Sequence, residues 1–487
     1  MPLSCAFLCR IPIIVSAAVV CAFAGGCARE TYRPAPLDPE ATAVQFEARS
    51  LMADGLRDYL RAQGQPVDPW PPARWDLARL TLAAVYHHPE IALARTRAEL
   101  AGAEKHTSTT GQPISITPRP ELNTAESGDD SPWGFGVLVG LPVDLGGKRA
   151  ARTEQLARLE DAARVEIAVA SWRVRSRLRR HFVDLYVAGR TLEAVGVEQA
   201  ARRKLLELIT KREAAGFASA SETGALRVKV AEGEVAVRRA AIRRDQALAG
   251  VAEAVGVPLD ALKHAAFDFA SVAAPAAVPP PAEIRRAALV NRIDLRRKLA
   301  DYAAAEAAVK LEVARQYPDL TVLPGYFWDA DETIWSVALS AIVPPRARTR
   351  ALIREAELRR EVEARAFLAV QASVLAEAQA AASRYELALA AHRAAEEQIT
   401  RAEQHRAQIA RQFERGQADR VELTQAQLES AMTERAAVVA MLEVQQGLSA
   451  LEDALQRPID NPDLMSTAQA VTAPADTGLN PALVDND

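Results

Sequence analysis

The sequence predicts a mainly α-helical chain with a small β part, in which very long helices join four β-strands of membrane-spanning length. Three observations predict it. The chain repeats itself after about 200 residues. Each copy holds a proline-free stretch of about 70 residues, rich in Ala, Leu, Glu and Arg, all strong helix formers. Ahead of each stretch lie two segments of about ten residues, most of them with alternating apolar side chains. The chain has 487 residues, 49% apolar and 25% charged, which suffices for a folded core. Its net charge of −4, 23 glycines and 5% aromatics speak against a basic nucleic-acid binder, a collagen or a wholly disordered chain.

Residues 1–26 read as an export signal. Arg10 is the single charge, 11–23 is apolar, and Ala24, Gly25 and Gly26 precede Cys27. That apolar run is shorter than the ~20 residues a spanning helix needs. The ending Ala24-Gly25-Gly26-Cys27 resembles a bacterial lipoprotein signal, although Ala24 stands where Leu or Val is more frequent. The resemblance implies cleavage before Cys27 and acylation (palmitate) of its thiol, with ordinary cleavage nearby as the alternative. Ala28 is not aspartate, which by analogy favours the outer membrane. All four cysteines (Cys5, Cys9, Cys21, Cys27) lie at or before that point, so a mature chain has no internal disulfide, Cys-ligated metal or Cys nucleophile. Residues 27–74 read as a tether and helix, and 460–487 as a disordered tail.

Between them stand two repeats, 75–263 and 282–459, joined by a Pro- and Ala-rich linker, 264–281. The segment from Trp133 to Pro142 parallels that from Trp335 to Pro344; Gly216 and Glu222 match Gly416 and Glu422; Pro258 matches Pro458. Each repeat begins with a short helix (75–87; 282–291). Pro89 then suits a helix start, where its missing N–H is not needed. A second helix runs to about Thr110, or to about Tyr317 in the second copy. Two strands follow, then the long helices, 147–215 and 346–415, then a Gly turn and a last helix to about Ala254 or Leu455. Helices of that length need a partner throughout. The two shorter helices of each repeat, laid end to end, nearly match one long helix.

In 133–141, Trp133, Phe135, Val137, Val139 and Leu141 share one face; in the copy, Trp335, Val337, Leu339, Ala341 and Val343 do. Their partners are 113–122, which Pro118 and Pro120 interrupt, and 319–328. Strands of this length suit a tilted transmembrane β-strand, and in lipid every strand edge must be paired, hence a closed barrel. Four strands cannot close one, so several chains must share it. The pattern alone also fits a soluble sheet on a helical bundle; the leader and Cys27 favour the membrane.

These features together resemble the TolC-type outer-membrane efflux proteins over roughly 75–458. The resemblance rests on the duplicated element order, on Pro142-Val143-Asp144-Leu145-Gly146-Gly147-Lys148-Arg149, and on Tyr317-Pro318-Asp319-Leu320 opening a strand; Pro344-Pro345-Arg346 lacks the glycine pair. It implies a homotrimer, with three chains giving four strands each to one transmembrane β-barrel, continued by a long α-helical barrel through the periplasm. It implies a passive exit duct in the bacterial outer membrane, lipid-anchored, served by a periplasmic adaptor (membrane fusion) protein and an inner-membrane pump. It places the turns Gly216, Phe217, Ser219 and Gly416, Gln417, Asp419 at the tip where the adaptor docks, and Glu222 and Glu422 at the tunnel entrance as a gate. Arg212, Arg415 and Arg420 are candidate partners for these acids, and Gln425 replaces the family's second acid. Exposed carboxylates beside a helix N-terminus are the plainer reading. Among the seven histidines no i,i+4 pair stands out, His87 and His88 suit a capping or solvent role, and the Arg173–180 run suits solvated or inter-helix faces. An enzyme, a cofactor, a metal centre and a nucleic-acid partner are not expected. Cargo is not legible: small molecules, drugs, metal ions or, in type I secretion, polypeptides fit one duct. A non-pore periplasmic coiled-coil lipoprotein is the alternative class.

Overall fold

The computed structural model describes residues 32–122, 133–329 and 332–459. The leader 1–26, Cys27, the polar loop 123–132, residues 330–331 and the tail 460–487 lie outside the described residues. The chain divides into two units, Met1–Ala48 and Arg49–Asp487. The described part of the first holds one exposed helix, α1 (Pro39–Glu47), whose N-cap Asp38 accepts from the Glu40 and Ala41 N–H groups.

The second unit opens with α2 (Asp54–Ala62). It buries Leu56 and Leu60, next to Leu51, against the first repeat's core. The first repeat runs α3 (Leu77–His87), α4 (Pro89–Thr109), β1 (Ser115–Leu122), β2 (Trp133–Val143), α5 (Lys148–Ala214) and α6 (Ala220–Val255). The second runs α7 (Pro281–Val290), α8 (Ile293–Ala314), β3 (Asp319–Asp329), β4 (Glu332–Ile342), α9 (Arg346–Glu414) and α10 (Arg420–Leu455). The order is the one the duplication predicts, and the bounds fall within a few residues. His88 caps α4 by accepting the Glu90 N–H at Nδ1, the role expected of it.

The long helices find their partners as the lengths suggest. Along α5, of 67 residues, pack α4 of 21 and α6 of 36; along α9, of 69, pack α8 of 22 and α10 of 36. α5 also packs against α8 and α10 of the other repeat, so it is shared by both halves. One core gathers Leu80, Leu82, Phe182 and Val251; a second gathers Tyr385, Val444, Leu448 and Leu451.

The short helices of each repeat meet at a joint. In the first, Gly256 ends α6 at a φ of 83°, and a Cβ there would stand 3.1 Å from the His88 Cα. Arg49 ties the two ends, donating to the His87 and Gly256 carbonyls at 3.0 and 2.9 Å. In the second, Gln456 ends α10 in the left-handed conformation, and the Arg292 guanidinium donates to the Ala454 carbonyl at 2.9 Å and to Asp294. Both joints cap helix-terminal carbonyls with a guanidinium that reaches in from far along the chain.

The four strands form one antiparallel sheet in chain order, β1-β2-β3-β4. Pro118 and Pro120 lie within β1, which the sequence pattern marks as interrupted. β1 is an edge strand, the place where a missing N–H is compatible with a ladder.

Candidate functional site

The sheet has two chemically distinct faces. Direct pairs across the ladder put Val137 beside Pro118 and Tyr326, and Tyr326 beside Trp335. Extended along each strand, that face carries Ile116, Pro118, Pro120 and Leu122; Trp133, Phe135, Val137, Val139, Leu141 and Val143; Leu320, Val322, Pro324, Tyr326 and Trp328; and Thr333, Trp335, Val337, Leu339 and Ala341. Only Thr333 is polar. The opposite face carries Ser115, Thr117, Arg119, Glu121, Thr321, Ser336 and Ser340, together with every strand glycine and a minority of apolar groups. The apolar face has no cover: Trp335, Val337 and Leu339 are 78, 74 and 68% exposed. An exposed apolar sheet face of this extent needs a partner or a lipid. Eleven residues at ~3.4 Å rise, tilted by ~40°, span ~28 Å, close to a bilayer's hydrocarbon thickness. Trp133, Phe135, Tyr326, Trp328 and Trp335 gather at the hairpin end, as an interfacial aromatic girdle does. Among the described residues no helix is long and apolar enough to cross a membrane. The strand residues named from the sequence, Trp133, Phe135, Val137, Val139, Trp335, Val337 and Leu339, all lie on this apolar face.

At the far end of the helices stand the two tips. α5 ends and α6 begins at Gly216-Phe217-Ala218-Ser219; α9 ends and α10 begins at Gly416-Gln417-Ala418-Asp419. Both glycines take a positive φ, 79° and 70°. The Phe217 N–H bonds back to the Arg212 carbonyl and the Gln417 N–H to that of Gln412, each at 2.8 Å, the six-to-one closure of a glycine C-cap. Ser219 caps α6 through the Glu222 N–H; Asp419 caps α10 through the Val421 and Glu422 N–H groups. Leu205, Ile209 and Val421 form a small core of their own, so the end of α5 meets the start of α10. Phe217 is 83% exposed beside it.

The charges at the tips are distributed otherwise than the sequence suggests. Arg212 pairs with Asp419, not with Glu222 or Glu422. Asp419, held by helix N–H groups and by that guanidinium, stays below the usual carboxylate range. The Glu422 carboxylate accepts the Asp419 N–H at 2.8 Å in a capping box, whereas the Glu222 carboxylate is exposed. Two acids that match by repeat offset thus differ in what holds them.

Sequence reasoning missed one cluster. Between α5 and α10, Arg175 and Arg179 both reach Glu452, each at 3.0 Å, and these three residues are 3, 2 and 1% exposed. Arg179 donates further to the Gln445 carbonyl and amide and to Ser449, and Arg175 lies over the Trp172 ring. Within the Arg173–180 run, then, Arg175 and Arg179, four apart, face the other repeat, while Leu178 and Phe182, also four apart, join the first repeat's core. Further inter-repeat ion pairs line α5 from the sheet to the tip: Lys148–Asp319, Glu154–Lys310, Glu166–Arg297, Glu198–Arg435 and Arg212–Asp419. Among the described residues no group of three His, Cys, Asp or Glu side chains could hold a metal ion.

No model of a known protein family matches the chain. It is 26% identical over 251 residues to the cobalt-zinc-cadmium resistance protein CzcC of Cupriavidus metallidurans, a match that covers 50% of this chain and 58% of that protein. Its fold is that of the outer-membrane protein VceC of Vibrio cholerae, with a TM-score of 0.63 at 18% identity, covering 79% of this chain and 99% of that one. It is equally that of CusC, a protein whose conformational changes accompany folding and transmembrane channel formation, with a TM-score of 0.63 at 12% identity, covering 88% of this chain and 99% of that one. The architecture expected from the sequence, long helices continued by strands for a shared β-barrel, is the architecture of these channels.

Proposed function

We propose that this chain, folded as the TolC-type outer-membrane channels are, is the passive exit duct of a tripartite efflux system. The observation that carries the reading is the two-faced sheet: a continuous apolar, aromatic-rimmed face opposite one that holds nearly all the polar groups, with free edges on β1 and β4. Lipid satisfies the first face, a water-filled lumen the second, and pairing with neighbouring copies the edges. Three chains with four strands each close one barrel, and the helices extend it through the periplasm. Transport then involves no chemistry on the cargo.

The rest of the reading follows the same frame. Cys27 carries the lipid anchor. The tips around Gly216, Phe217, Ser219, Gly416, Gln417 and Asp419 receive a periplasmic adaptor, which couples the duct to an inner-membrane pump. Glu222 and Glu422 ring the entrance and favour cations. The likeness to CzcC, named for resistance to cobalt, zinc and cadmium, favours divalent metal ions as cargo.

The test is reconstitution of the purified protein in a planar lipid bilayer, beside its migration in detergent. Heat-stable trimers and cation-preferring single-channel steps are expected. A monomer that stays in solution without detergent and gives no conductance would reject the duct. For cargo, a deletion strain is expected to become sensitive to cobalt, zinc or cadmium; unchanged tolerance to all three rejects that assignment alone.

A further inference from the structure

The lumen-side face of the sheet contains an arrangement that strand geometry does not require. Gly134 and Gly136 alternate on that face of β2, and neither has a positive φ, so any residue could adopt their backbone. Glycine in a strand interior weakens the strand. What the two positions provide is space. Phe327 of β3 stands directly across from Gly136. A Cβ on Gly136 would lie 2.5 Å from the Phe327 Cδ2, and one on Gly134 2.8 Å from its Cζ. The ring therefore lies flat across both glycines, which are buried, while Phe135 and Val137 between and beyond them are exposed on the other face.

The level of this seat matters. Phe327 is two residues from the end of β3, at the hairpin end of the sheet. Its ladder neighbours on the same face are Ile334 on β4 and, across the glycines, Arg119 and Glu121 on β1, ion-paired at 2.5 Å. Phe327 is the largest apolar side chain on the lumen-side face. Standing upright it would project across the bore; seated, it adds only the thickness of a ring to the wall.

Resting on the channel reading above, we propose that Gly134 and Gly136 keep the outer mouth wide by seating Phe327 against the wall, and so govern the size of solute that leaves. Three such rings, one per chain, would sit at one height. Any side chain placed at 134 or 136 evicts the ring, because β2 and β3 are fixed by their ladder and the aromatic is the group free to turn.

The experiment compares four full-length proteins in planar bilayers: wild type, Gly136→Val, Phe327→Ala and the double variant. Gly136→Val is expected to lower single-channel conductance roughly twofold. Phe327→Ala is expected to stay within ~20% of wild type, because the ring already hugs the wall. The double variant is expected to recover the wild-type value, which a merely misfolded Gly136→Val would not do. An unchanged Gly136→Val, a loss that persists in the double variant, or a large gain in Phe327→Ala alone overturns the proposal. A wild type that conducts normally while these outcomes fail leaves the duct standing; a wild type that forms no pore removes both.

Discussion

Arg175 of the first repeat and Glu452 of the second meet at 3.0 Å inside the protein, with both side chains almost fully buried. Arg179 joins the same carboxylate, so two guanidiniums share one acid. Desolvating three charges costs more than their attraction returns unless each is well bonded. Removing the one anion is therefore the severe change. Glu452→Gln is expected to destabilise by about 3–5 kcal/mol, as breaking a buried pair does. Arg175→Met leaves Arg179 to neutralise Glu452 and is expected to cost clearly less. Denaturant unfolding followed by circular dichroism orders the two variants; equal losses would contradict the shared-acid account.

His87 supplies a pH dependence. Burial, reinforced by the nearby Arg49 charge, pushes its imidazole down to about 4. The folded protein holds the neutral ring, while the unfolded chain protonates near 6.5. Stability associated with His87 is thus fully present above about pH 6.5, declines as pH falls toward 4, and is constant below. The amplitude is on the order of 2 kcal/mol, allowing for the part of the ring that meets water. His87→Gln is expected to flatten the difference between unfolding curves at pH 7 and pH 4.5. A variant with the full wild-type slope would assign the effect to other groups.

The sheet faces make a paired forecast. Val337→Arg, on the apolar face, is expected to cost about 2–4 kcal/mol of membrane insertion, the usual penalty for arginine near the midplane of a β-barrel wall. Ser336→Arg, one residue away on the other face, is expected to insert normally. Detergent-extracted trimer yield reads both. Equal yields would show that the face assignment is wrong.

At the tips the two matched acids are expected to behave differently. Glu422 is engaged by its own helix cap, so Glu422→Ala is expected to cost about 1 kcal/mol of stability, as loss of a cap does, with a modest change in selectivity. Glu222→Ala is expected to leave stability unchanged and to lower cation preference in bilayers more strongly. Reversal potentials in a salt gradient, measured beside thermal unfolding, separate the two effects.

Much of the architecture was legible because it is periodic. A proline-free helical stretch cannot hide its length, a period of two announces a strand face, and the repeat offset doubles every signal. Pro89 and the glycine turns could be placed for local reasons of backbone geometry. What could not be read is what joins distant positions. Arg49 reaches Gly256 and Arg175 reaches Glu452 over more than two hundred residues, and nothing near either arginine marks its partner. The same limit applied at the tips. Glu222 and Glu422 look equivalent by offset, yet Ser219 and Asp419 make different caps, and Arg212 chooses the aspartate. The seat of Phe327 was half visible, in the alternating glycines, but the ring that fills it lies on a strand from the other repeat.

The two joints between shorter helices fall at matching heights. Glu90, at the first, reaches Arg177 of α5; Arg292, at the second, reaches Glu377 of α9, two hundred positions further on. Each rod runs unbroken past a seam in its neighbour, and the seams coincide. Such a column resembles a beam notched at one level on both sides, where the two long rods alone carry the helical wall across the gap.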